Sequence, residues 1–211
     1  MTAPSTPIAG AAKGTATRCG AAKDGEEVNT GAEARSSASG IPTLPRTLVL
    51  AWGNPGRLDD GLGPALAARL DSAPMEGVTV ETDYQLQIEH AADLADSDRV
   101  IFVDADRTGP EPFSFRRLEP AGEALRYTSH EASPSAVLAL CEEISGRSPE
   151  AWLLGIRGYD FDEFGEELSP RAWANLERAD AFVRVALHRT RLDPSLNADH
   201  RAVPSDLEGE R

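Results

Sequence analysis

The 211 residues are enough for one domain and a remainder, because domains usually run to roughly 100–200 residues. Between residues 47 and 189 the chain carries 13 Arg, no Lys and 26 Asp or Glu, a balance of −13 out of a formal −14. Such a surface argues against nucleic acid and anionic membrane as partners and favours metal ions or basic partners. No apolar run approaches the roughly 18 residues of a membrane-spanning helix. Cys19 and Cys141 fit neither a metal spacing nor a disulfide framework, which suits a reducing cytoplasm.

Residues 1–46 are rich in Ala, Gly, Ser, Thr and Pro and show no helical or strand period, so a disordered tail is expected there. No apolar segment follows Met1 as in a secretory signal, and Asp24, Glu26 and Glu27 are wrong for a transit peptide. The folded domain is expected over 47–190, with a second disordered tail over 191–211.

The domain opens on TLVLAWGNPGRLDDGLG, residues 47–63. Leu48 to Trp52 read as a strand, Gly53-Asn54-Pro55-Gly56 as a turn, and a helical pattern begins at Leu62 with Pro64 in its first turn. Two carboxylates, Asp59 and Asp60, sit in this loop. In open α/β sheets ligands bind beyond the carboxyl ends of the strands, so the pair is a functional candidate. The competing expectation is that both acids cap the following helix. No phosphate-loop pattern is present, and two acids would repel a phosphate.

Further along, VTVETD (78–83) alternates as a strand, and Leu86, His90 and Leu94 suggest a helix over 87–96, with His90 expected at the surface or in packing. Val100 to Val103 form a continuous apolar run that ends in Asp104, as in a parallel strand covered on both faces. Asp106 and Arg107 follow in a loop, able to pair with each other or to touch a substrate. FSFRRL (113–118) reads as a strand nearer an edge, and His130 falls in the loop before a helix that Ser133 and Pro134 start. WLLGIRG (152–158) is another strand. The acidic, aromatic loop Asp160 to Glu167 after it either lines a cleft or packs Phe161 and Phe164 into the core. Ser169 and Pro170 open the last helix, whose stripe of Trp173, Leu176, Ala179, Val183 and Leu187 is expected to be core. The alternation implies an α/β three-layer sandwich, a mixed, mostly parallel five-stranded sheet with helices on both faces.

Asp60, Asp104 and His130 thus come from three separate loops. Two carboxylate oxygens and one imidazole suit a divalent transition ion such as Ni²⁺ or Zn²⁺ better than Ca²⁺ or Mg²⁺, which prefer oxygen throughout.

GNPGRLDDGLGPALAARL, VIFVDA, SHEASPSAVLAL and GIRGYDFDEFGEELSP, in this order, resemble the [NiFe] hydrogenase maturation proteases over about residues 47–188. The resemblance implies an endopeptidase that removes the C-terminal extension of a nickel-loaded hydrogenase large-subunit precursor in the cytoplasm. The family's metal contacts fall on Asp60, Asp104 and His130, which would also be its catalytic residues, with nickel recognised in the substrate or bound at the site, and zinc as a further candidate. A monomer with no nucleic acid or membrane partner is expected. Pro55-Gly56 and Trp52 depart from the family pattern, Trp52 standing where a small residue is common. GNPG also resembles the opening of peptidyl-tRNA hydrolases, but the histidine those enzymes need is replaced here by Leu58-Asp59-Asp60-Gly61, and the domain's charge is wrong for tRNA. The alternatives to the maturation protease are a non-catalytic checkpoint protein that binds the precursor through the same three ligands, and a broad-specificity metallopeptidase.

Overall fold

Five strands make the central sheet in the order β2-β1-β3-β5-β4. In chain order these are β1 (Thr47–Trp52), β2 (Val78–Asp83), β3 (Arg99–Asp106), β4 (Phe113–Leu118) and β5 (Glu150–Arg157). All neighbours run parallel except β4, which pairs antiparallel with β5 at the edge. The computed structural model describes residues 43–121, 132–193 and 195–196, all within the compact unit Gly40–Arg211. The expected mixed, mostly parallel sheet is therefore present, and it is covered on both faces.

The two-sided burial explains the apolar runs. On one face Val49, Ala51, Ile101, Val103 and Trp152 pack beneath helices α1 (Leu62–Asp71) and α4 (Pro170–Leu187). On the other, Leu48, Leu50, Val100 and Phe102 pack with α2 (Ala91–Leu94) and α3 (Pro134–Ser145). Period-2 alternation within one strand thus feeds two cores. Ser133 Oγ accepts the Ala136 amide at 3.2 Å and Ser169 Oγ accepts the Ala172 amide at 3.3 Å, so both Ser-Pro starts are true caps.

Four expectations need correction. The helix over 87–96 is two short turns, a 3-10 turn at Ile88–His90 and α2, because the apolar positions are too few to hold a long helix on the sheet. His90 caps locally instead: its Nδ1 accepts the Gln87 amide at 3.0 Å and its Nε2 faces Asp83 at 3.5 Å. Trp173 is half exposed and lies against the Arg69 guanidinium, 4.8 Å from its ring centre, so it is not core. Asp104 lies inside β3, opposite Gly155, and not beyond the strand's end. Finally, the core continues past residue 190, since Leu192 and Leu196 are buried with α4. There Arg99, fully buried, donates to the carbonyls of Arg189 and Thr190 and so clamps the chain leaving α4.

Candidate active site

From β1 the chain crosses through α1 to β2 on one side, then returns through α2 to β3 on the other. The two crossovers lie on opposite faces, which opens a crevice at the carboxyl ends of β1 and β3. The loop after β1 holds Asp60, and β3 holds Asp104. Both line one cavity of about 480 Å³, together with Trp52, Asn54, Arg57, Arg107 and Phe161.

Close packing fixes the first loop. Gly53 has φ of +139°, and a Cβ there would lie 2.0 Å from the Asp60 carbonyl oxygen, so only glycine allows the strand to break at this point. Asn54 Oδ1 accepts the Gly56 amide at 2.9 Å, the local turn expected of an asparagine here. The Asn54 amide donates to Asp60 Oδ2 at 3.0 Å and orients that carboxylate. Leu58 takes a left-handed φ of 50°, held by the hydrogen bond its N–H donates to the Gly165 carbonyl at 2.8 Å.

The two adjacent acids have different tasks, and neither caps α1, whose N-cap is Gly61. Asp59 is fully buried. It accepts hydrogen bonds from the amides of Tyr159, Asp160 and Ser169 at 2.7, 3.0 and 2.7 Å, and from Ser169 Oγ at 2.8 Å. It therefore ties the loop after β5 to the loop after β1, whereas Asp60 remains at the cavity. As a result Phe161 is buried as a cavity wall, while Phe164 is 89% exposed. The loop over 160–167 thus both lines the cleft and packs one of its two aromatics.

Burial pushes the Asp104 carboxyl from 3.8 up to about 7, and the nearby Asp60 carboxylate adds to the rise. The Ala105 amide, donating at 2.8 Å, and the Trp52 indole hydrogen bond act in the opposite sense. Near neutral pH Asp104 can therefore give or take a proton. Trp52 also packs edge-on against Phe102, ring centres 6.1 Å apart, which aims its indole at the cavity.

The expected pair Asp60 and Asp104 is brought together, and His130 lies outside the described residues. Among the described residues no group of three or more His, Cys, Asp or Glu side chains could hold a metal ion. Two carboxylates lining one cavity are of a chemical type that can ligate a divalent cation. Arg107 does not pair with Asp106. Asp106 folds its own loop, its Oδ1 accepting the Thr108 and Gly109 amides at 2.9 and 2.7 Å, and Arg107 turns to the cavity wall. The sequence reading missed Arg57 at the cavity and the buried hub at Asp59. The available signal was the adjacency of two acids in a tight turn, which cannot both face one site.

No family model and no curated protein matches the chain. Solved structures do. A [NiFe] hydrogenase maturation protease, HycI, from Thermococcus kodakarensis KOD1 superposes with a TM-score of 0.53 at 24% identity, over 68% of this chain and 93% of its own. This is the fold of the [NiFe] hydrogenase maturation proteases. A hydrogenase 2 maturation peptidase from Thaumarchaeota archaeon SCGC_AB-539-E09 matches at 27% identity with a TM-score of 0.50, over 68% of this chain and 98% of its own. The hydrogenase maturating endopeptidase HybD from E. coli matches at 24% with a TM-score of 0.51, over 67% of this chain and 91% of its own. The maturation-protease resemblance read from the sequence is borne out, and these matches span almost the whole of each solved chain. No described helix is long and apolar enough to cross a membrane.

Proposed function

We propose that this maturation-protease fold acts as an endopeptidase that shortens a hydrogenase large-subunit precursor at its C-terminus once nickel is in place. The observation that carries the reading is the meeting of Asp60 and Asp104 in one cavity at the switch point of the sheet, with Asp104 poised near neutral pH. The nickel belongs to the substrate. Asp60, Asp104 and His130 would contact it and so admit only a loaded precursor, and the ion would supply Lewis-acid polarisation of the scissile carbonyl.

In this scheme water attacks the carbonyl carbon, and Asp60 takes the proton that the water loses. The tetrahedral intermediate then collapses, the C–N bond breaks, and protonated Asp104 gives its proton to the departing amine. One water is consumed and two chain ends result. The compartment expected for the reaction is the cytoplasm, in keeping with a sequence whose two cysteines fit no disulfide framework.

Precursor prepared with and without nickel, incubated with the protein and weighed intact, tests the reading. A mass loss equal to the extension in the loaded sample alone is the expected result. A precursor that binds but keeps its full mass would replace the protease with the checkpoint binder that shares its ligands. Cleavage of denatured casein at a comparable rate would favour the broad metallopeptidase.

A further inference from the structure

The same cavity has a second chemical character, opposite to its carboxylates. Arg57 from the loop after β1 and Arg107 from the loop after β3 both line it, in a domain whose balance is strongly acidic. They meet at one residue. The Arg57 guanidinium donates to the Phe161 carbonyl at 3.3 Å, and Arg107 lies over the Phe161 ring, 4.3 Å from its centre. Neither contact consumes the positive charge. Among the described residues no carboxylate pairs with Arg57, and the one that pairs with Arg107 is Asp162, at 3.4 Å and with its side chain 90% exposed. A surface pair of that kind is weak and readily exchanged for another acid.

We propose that Arg57 and Arg107 form an anion subsite that takes a carboxylate of the substrate chain. The inference deepens the peptidase reading and rests on it for the identity of the ligand. Phe161 fixes both guanidiniums, and Asp59 fixes the Phe161 loop, so the subsite is built before substrate arrives. Planar guanidinium forks match a carboxylate in two-point contact. A phosphate dianion is disfavoured because Asp60 and Asp104 share the cavity. The substrate would then be read at two places, by carboxylates at its metal and by arginines at its acid. The acid is either a side chain near the cut or the terminal carboxylate of the extension.

Two measurements decide it. In the first, the Arg Nε–H resonances of the full chain are followed by NMR as succinate is added, with Arg117, exposed and paired to Glu119, as the internal control. The Arg57 and Arg107 signals should shift together and saturate, and Arg107→Gln should weaken the Arg57 response about tenfold. Shifts no larger than that of Arg117, or a linear response, would overturn the subsite. In the second, the loaded precursor is cleaved with the acids of its extension changed to amides, or with its terminal carboxylate amidated. Whichever change removes the bound carboxylate should raise KM about tenfold in the wild type and leave Arg107→Gln, its own KM already raised, unaffected. Cleavage indifferent to both changes would refute the substrate assignment. If the wild type cleaves nothing, the peptidase reading fails, and the succinate titration still decides the subsite.

Discussion

At the scale of single residues, the site depends on keeping one carboxyl protonated more readily than its ordinary value allows. Asp104 is held up to about 7 by burial, so the folded chain retains its proton where the unfolded chain, near 3.8, releases it. Stability is therefore lost as pH rises from about 4, and the loss is complete above about 7. Asp104→Asn should match the wild type near pH 4 and exceed it by a few kcal/mol at pH 8, measured by urea denaturation across that range. A difference that does not vary with pH would contradict the raised value. Trp52 acts on the same group in the opposite sense. Trp52→Phe keeps the ring beside Phe102 and deletes the indole hydrogen bond, so the falling limb of the pH–rate profile, set by loss of the Asp104 proton, should move to higher pH with little change in melting temperature. Asp60 and Asp104 were legible as candidates because each follows or ends an apolar strand. The link from Trp52 to Asp104 was not, since nothing in the strand pattern tells toward which neighbour an indole N–H points.

At the scale of elements, two loops 100 residues apart in sequence behave as one, and Asp59 joins them. Asp59→Ala would leave three part-buried amides without their acceptor and should cost about 3 kcal/mol, read from the urea midpoint. Because Phe161 hangs on the same loop, proteolytic nicking within residues 160–167 should also become faster in this variant. A variant as stable and as resistant as the wild type would show that the hub is not a joint. The capping signals at Ser133 and Ser169 could be read from the sequence because a cap is local, each serine reaching an amide three residues on. The Asp59 hub could not be, because its partners are chosen by the fold. For the same reason the helix expected over 87–96 dissolved into two turns, whereas α4, with a continuous buried stripe from Ala172 to Leu187, formed at its expected start.

At the scale of the whole molecule, the order of strands creates the site. With β1 between β2 and β3 and the two crossovers on opposite faces, the carboxyl ends of β1 and β3 face an open crevice, and residues 44 positions apart share it. The alternation of apolar runs and capped helices was sufficient to read this sheet in advance. The C-terminal limit of the core was not, since LDPSLNADH carries only two isolated leucines and no period. Leu192→Ala and Leu196→Ala should each cost about 2 kcal/mol by thermal or urea unfolding, as buried leucines do, whereas a true tail would tolerate both. The central claim is that the crevice brings two carboxylates, Asp60 from the loop after β1 and Asp104 from β3, into one reaction. The most direct test is the rate of precursor shortening by Asp60→Asn, Asp104→Asn and the double variant, each confirmed folded. If the two act as a unit, each single change should abolish at least 99% of the rate and the double variant should be no slower than the worse single one. A single variant that cleaves at near the wild-type rate would contradict the account.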